Sequence, residues 1–280
     1  MNIRVAKTAG FCMGVRRAVD LALETVEKHG GTARSFGPLI HNSQVLEFLK
    51  ERGVRVLDDI PKKGSGAVII RAHGVPPQTR ERLSRAGFNI VDATCPRVIK
   101  VQTIIETHAA RGHAAIIAGD RDHPEVSGLL GYSDGQGHVI DSLESVKSLP
   151  VFEKAIIVAQ TTQNIEFYDQ IKKWAAGRRP HYKIFDTICH STARRQNEVR
   201  DMARRADIFV VVGGKNSGNT RRLAEVARES GKPARHIETE AELDPSAVEG
   251  RRNVCVTAGA STPDWIIERV VKKIESPGRG

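Results

Sequence analysis

Three of the four cysteines stand at the ends of related segments. Asn89-Ile-Val-Asp-Ala-Thr-Cys95 and Lys183-Ile-Phe-Asp-Thr-Ile-Cys189 each run from an apolar, strand-like stretch through an aspartate and two further residues to a cysteine, and a helical pattern follows each cysteine. Ile3-Arg-Val-Ala-Lys-Thr-Ala-Gly-Phe-Cys12 is a third copy without the aspartate. Cys255, inside the apolar Val254-Cys-Val256, reads as a small buried hydrophobe. Structural zinc usually draws on close Cys-x-x-Cys pairs, and the chain has none. Three isolated thiolates suit a larger inorganic body. An iron–sulfur cluster normally takes four cysteines, so three leave one iron open to substrate or water, where it acts as a Lewis acid and passes electrons.

A second group of residues suits an anion. In open α/β sheets ligands sit beyond the carboxyl ends of the strands, and here those ends are polar. They read Arg71-Ala-His-Gly74, Gly119-Asp-Arg-Asp-His-Pro-Glu125, Gln160-Thr-Thr162, Gly213-Gly-Lys-Asn-Ser-Gly-Asn219 and Ala258-Gly-Ala-Ser261, and His41 lies in the comparable turn Gly37-Pro-Leu-Ile-His-Asn42. Their His, Thr, Ser and Asn side chains all donate hydrogen bonds. The segment Gly213 to Thr220 also reads as a helix start, where backbone N–H groups favour phosphate. It lacks the Walker spacing, so a P-loop is a poor fit.

The elements that must position these residues follow from apolar periodicity. Short β-branched runs at Ala67 to Ile70, Ala114 to Ile117, Ala155 to Val158, Ile208 to Val212 and Val254 to Thr257 read as buried parallel strands. Helical spacing joins Val15, Ala18, Val19, Ala22 and Val26, closed by Gly30-Gly31, and joins Val98, Val101 and Ile105, with Pro96 in the first turn. Alternating strands and helices mean α/β architecture. The cysteine separations, 83 residues and then 94, suit three similar units spanning 13–95, 96–189 and 190–280, with 1–12 leading into a shared centre.

Composition narrows the function class. Across 280 residues, 43 basic against 33 acidic side chains give a net charge of +10, which favours anionic partners. Nucleic acid is not expected, because the basic residues are scattered in pairs such as Arg16-Arg17 and aromatics are only 5%. No apolar run approaches the ~18 residues of a membrane span, and the opening residues lack a signal-peptide pattern. A cytoplasmic protein is expected, with cysteines serving as thiols or ligands and not as disulfides.

Taken together, Phe11-Cys-Met-Gly-Val15, Ala72-His-Gly-Val75, Asp92-Ala-Thr-Cys-Pro96, His123-Pro-Glu-Val126, Gln160-Thr-Thr162, Lys215-Asn-Ser-Gly-Asn219 and Thr257-Ala-Gly-Ala-Ser261 resemble the 4-hydroxy-3-methylbut-2-enyl diphosphate reductase family. The resemblance covers nearly the whole chain, in order. It implies three α/β domains with mainly parallel sheets, packed pseudo-three-fold around a central 4Fe-4S cluster. Cys12, Cys95 and Cys189 would be the cluster ligands, leaving one iron open. His41, His73 and His123 would hold the substrate diphosphate, with Ser217, Gly218, Asn219 and Ser261 as further contacts; Gly218 stands where many relatives have a serine and would contribute through backbone alone. Thr161 would lie beside the allylic alcohol, with Thr162 next to it, and Glu125 would supply protons. The implied reaction is the two-electron reductive dehydroxylation that ends the non-mevalonate isoprenoid pathway, giving isopentenyl and dimethylallyl diphosphate, with a ferredoxin or flavodoxin as electron donor. Two other readings of the residues stand beside it: an iron–sulfur hydro-lyase without net redox, and a non-catalytic phosphate-binding or zinc-stabilised α/β module.

Overall fold

The computed structural model describes residues 1–276; the last four residues of the third expected segment, 277–280, lie outside the described residues. In chain order the elements begin with β1 (Asn2–Val5), α1 (Met13–Lys28), β2 (Ala33–Phe36), α2 (Ser43–Glu51), β3 (Val54–Leu57), β4 (Ala67–Ile70), α3 (Pro77–Ala86), β5 (Asn89–Asp92) and α4 (Pro96–Ala109). Next come β6 (Ala114–Ala118), α5 (Pro124–Leu130), β7 (Gly137–Ile140), α6 (Leu143–Lys147), β8 (Ala155–Ala159), α7 (Ile165–Arg178) and β9 (Lys183–Ile184). The chain continues with α8 (His190–Ala203), β10 (Ile208–Val212), α9 (Gly218–Glu229), β11 (Ala234–Ile237), β12 (Asn253–Ala258) and α10 (Asp264–Glu275). It divides into two compact units, one of Met1–Val15, His41–Val45 and His190–Gly280, the other of Arg16–Ile40 and Leu46–Cys189.

The larger unit holds two four-stranded sheets, ordered β3-β2-β4-β5 and β7-β6-β8-β9, and every pairing is parallel. The inner strands are continuous apolar runs because helices cover both faces. Along β6 and β8, Ile116 and Ile157 face Tyr168 and Ile171 of α7, while the alternate residues Ile117, Ile156 and Val158 face Val101 and Ile105 of α4 and Val126 and Leu129 of α5. Each of these aliphatic side chains is 1% exposed or less, and each contributes about 1.5–3 kcal/mol by leaving water. Tyr168 is the large residue of this core, and its hydroxyl donates to the carbonyl of Phe185 at 2.6 Å, so that oxygen is not stranded.

The smaller unit holds the third sheet, ordered β1-β12-β10-β11 and again all parallel. The residues ahead of Cys12 are thus built into this sheet, since β1 pairs with β12 from Asn2↔Asn253 to Val5↔Val256. Ile266, Val270 and Ile274 of α10 cover one face of β10 and β12; Val199 of α8 and Leu223 and Val226 of α9 cover the other. In all three sheets the parallel strands deliver their carboxyl ends to one edge, which is where the polar motifs lie.

Candidate active site

In the larger unit the candidate residues form a continuous chain of contacts. Cys95 closes the turn after β5 and caps α4, with Pro96 supplying the first helical residue without losing a hydrogen bond. Its N–H donates to the carbonyl of Ala72 at 2.9 Å, which fixes it beside His73. Gly74 follows at φ +73, and a Cβ there would lie 2.5 Å from Gln102 Nε2, so the turn carrying His73 requires glycine. The His73 ring stands edge-on to the ring of His123, centroids 5.3 Å apart, and so joins the polar ends of two different sheets.

His123 caps α5. Its Nδ1 accepts the Glu125 N–H at 3.1 Å, which assigns the ring proton of the neutral tautomer to Nε2 and makes that atom a donor. Glu125 occupies the first turn of α5 but is not a solvated helix-end carboxylate: it is 2% exposed. Its Oε1 accepts the Thr161 N–H at 2.6 Å and its Oε2 the Thr161 hydroxyl at 2.8 Å. Burial outweighs those two bonds and, with a smaller push from Asp120, lifts the Glu125 pKa from 4.5 to about 7. A carboxyl of that pKa gives and takes protons near neutrality. The carbonyl of Thr161 accepts the Cys189 N–H at 2.9 Å, and the chain of contacts that began at Cys95 ends at the second cysteine. Thr162, less buried than Thr161, receives Gln160 Nε2 on its hydroxyl at 2.9 Å.

The smaller unit assembles its candidates in the same way. The Cys12 N–H donates to the Ala260 carbonyl at 3.1 Å, and the next residue, Ser261, donates its hydroxyl to the His41 carbonyl at 3.0 Å. A Cβ on Gly214 would lie 2.5 Å from that same carbonyl oxygen, so only glycine lets the β10–α9 loop pass His41. Ser217 caps α9 by accepting the Thr220 N–H at 3.4 Å, Gly218 is the first helical residue, and Asn219 follows. Ser217, Asn219 and Ser261 are each 6% exposed or less, and Asn219 Nδ2 has no hydrogen-bond partner among the described residues. A buried, unsatisfied donor at a helix start is suited to an anion. Lys215, the cation of this loop, is turned to Glu242 Oε2 at 2.7 Å.

None of the four cysteines forms a disulfide; Cys12, Cys95 and Cys189 are part-exposed, and Cys255 is 3% exposed within β12. Burial pushes the Cys255 thiol above its ordinary pKa, so it resists becoming the thiolate that metals bind. The other three each lie at a turn into a helix, part-exposed, where a thiolate is a soft and accessible donor.

Two arginines outside the motifs brace the cysteine turns. Arg17 of α1 donates to the carbonyls of Thr94 and Asp92, at 3.2 and 3.3 Å, on the turn leading to Cys95. Arg195 of α8, 4% exposed, donates to the Gly10 carbonyl at 2.6 Å, two residues before Cys12. Gln160, within its motif, steadies the turn before His123, its Oε1 accepting the Asp120 N–H at 2.9 Å.

Comparison with known proteins agrees with this fold. The LytB protein family matches residues 3–275. The 4-hydroxy-3-methylbut-2-enyl diphosphate reductase of Geobacter sulfurreducens is 45% identical over 275 residues, covering 98% of this chain and 97% of its own. Among solved structures, the E-1-hydroxy-2-methyl-but-2-enyl-4-diphosphate reductase of Plasmodium falciparum superimposes with a TM-score of 0.94 at 26% identity, over 99% of this chain and 88% of that one. A second, described as the terminal enzyme of the non-mevalonate pathway, has a TM-score of 0.68 at 41% identity, over 98% and 99% of the two chains.

Proposed function

Since the chain belongs to the LytB protein family, we propose that it reduces 4-hydroxy-3-methylbut-2-enyl diphosphate to isopentenyl and dimethylallyl diphosphate, the last step of the non-mevalonate route. The reaction takes one substrate, two electrons and two protons to one diphosphate product and one water. Cys12, Cys95 and Cys189 would hold a 4Fe-4S cluster, which would supply electrons one at a time and a Lewis acid for the substrate oxygen.

The chain's own residues do the rest. His41, His73 and His123 with Ser217, Asn219, Ser261 and the Gly218 backbone hold the diphosphate. Histidine Nε2–H, hydroxyl and amide donors suit phosphate oxygens, and the net charge of +10 favours a polyanionic substrate. Thr161 orients the substrate hydroxyl, and Thr162, fixed by Gln160, borders it. Glu125 delivers a proton so that the oxygen leaves as water; hydroxide is a poor leaving group. The observation that carries this reading is the buried Glu125 carboxyl of pKa about 7, gripped through both oxygens by Thr161, on a run of contacts ending in a cysteine on either side. A ferredoxin or flavodoxin supplies the electrons.

The test is anaerobic purification with iron analysis and a visible spectrum, followed by turnover with reduced methyl viologen. Brown protein that converts the allylic alcohol to the two isoprenyl diphosphates supports the proposal. Colourless protein that holds zinc, or no metal, and makes no product after cluster reconstitution overturns it.

A further inference from the structure

Electrons must enter this site from outside, and the surface at Cys95 has the features of a docking patch. The turn into Cys95 is framed by Arg17, bonded to its carbonyls, and by Arg80, whose Nη1 lies 2.5 Å from Asp92 Oδ2. Beyond the cysteine, α4 opens with Pro96, Arg97, Ile99 and Lys100, all exposed, Ile99 to 41%. Arg97 and Lys100 are three residues apart and share one side of the helix. Neither has a carboxylate partner among the described residues. The turn into this part-exposed cysteine and the helix start after it thus carry Arg17, Arg80, Arg97 and Lys100, and the Asp92 carboxylate on that turn is already engaged by Arg80. Pro96 and Ile99, exposed on the same first turns of α4, add apolar surface beside these charges. At the other cysteine of the same unit the equivalent aspartate, Asp186, pairs with Lys172 but its side chain is 83% exposed, against 31% for Asp92.

We propose that the start of α4, Pro96 to Lys100 with Arg17 and Arg80 beside it, is where a small acidic one-electron carrier protein docks to deliver electrons at Cys95. The proposal rests on the reading of Cys95 as a cluster ligand. Two reduced carriers are each oxidised by one electron per substrate, and the two electrons, with two protons, appear as product and water. Encounters of this kind bury about 1,200 Å² or less and depend on charge steering for their rate. A patch of a few cations beside two exposed apolar side chains matches that scale. It also explains why Ile99 remains exposed on a helix where Val98, Val101 and Ile105 are buried and Ile104 is half-buried.

The test uses the cluster-loaded protein, an acidic [2Fe-2S] ferredoxin and the double variant Arg97→Glu/Lys100→Glu. Neither residue braces the cysteine turn or belongs to the substrate site, so turnover driven by reduced methyl viologen and iron content should match wild type. With the ferredoxin, kcat/KM for the carrier should fall by about tenfold or more, and its decline with rising ionic strength should flatten. A direct titration of ferredoxin against each protein, followed by calorimetry, should show the same loss. A double variant that binds and is reduced as well as wild type at low salt would overturn the proposal, as would a wild-type protein that does not bind the carrier. If viologen drives no turnover in wild type, the reading of the reaction fails instead, and the binding titration still decides the surface.

Discussion

Replacing Glu125 by glutamine keeps the side chain's size and leaves Thr161 a partner at both positions, while removing the ionisable proton. Two consequences separate a working acid from a helix-end carboxylate. The first is in stability. Burial raises the Glu125 pKa from 4.5 to about 7, and at about 1.4 kcal/mol per unit the folded state disfavours the charged form by about 3 kcal/mol. Between those two values the folded chain keeps a proton that the unfolded chain has released. The protonated carboxyl's contribution is therefore complete below about pH 4.5 and is lost as pH rises through about 7. Glutamine has no such loss, so the stability of Glu125→Gln relative to wild type should rise by about 3 kcal/mol between about pH 4 and pH 8. Urea unfolding of the two proteins across that range, in the same cluster state, measures the difference, and the other titrating groups cancel. The second consequence is in rate: kcat should fall by about a hundredfold or more, with iron content and substrate binding retained. Parallel stability curves together with a fully active variant would refute the reasoning and point to Thr161, a bound water or the substrate's diphosphate as proton source.

Thr161→Val removes the hydroxyl bond to Glu125 Oε2 and keeps the backbone bond to Oε1. One support of the charged form is lost, so the alkaline fall of the kcat profile should move to higher pH, at a stability cost of about 1 kcal/mol. Gly214→Ala places a Cβ 2.5 Å from the His41 carbonyl oxygen; it should raise KM for the diphosphate substrate, read by steady-state kinetics, while iron content stays constant. Cys189→Ser should lower bound iron and abolish the visible bands, whereas Cys255→Ala, at a buried position in β12, should leave both unchanged in the same iron assay.

The strands that sequence patterning marks are the inner ones, β4, β6, β8, β10 and β12, each covered by helices on both faces. It passes over β3, β7 and β11, which lie at sheet edges and read Val-Arg-Val-Leu, Gly-His-Val-Ile and Ala-Arg-His-Ile. Their open faces carry arginine and histidine, which break the apolar run. The inner strand β2, Ala-Arg-Ser-Phe, is missed for the same reason. The repeat ahead of Cys95 and Cys189 is visible because a strand, a turn and a helix start recur in fixed order within seven residues, even though β9 forms only two residues of ladder. Arg17 and Arg195 leave no such trace. Each reaches backbone carbonyls, at sequence distances of 77 and 185 residues, and a carbonyl has no residue type to read. The Glu125 environment is likewise hidden: proline before a first-turn glutamate is an ordinary helix start, and only the fold shows Thr161 enclosing it.

The account's central claim is reductive removal of a hydroxyl, and electron stoichiometry tests it most directly. Anaerobic cluster-loaded protein is given a limiting amount of the allylic diphosphate and an excess of reduced methyl viologen, and viologen oxidation is counted against isoprenyl diphosphate formed. Two electrons consumed per molecule of isopentenyl plus dimethylallyl diphosphate is the expected result. Conversion of the substrate with no viologen oxidised would contradict the account and assign the site to the hydro-lyase class.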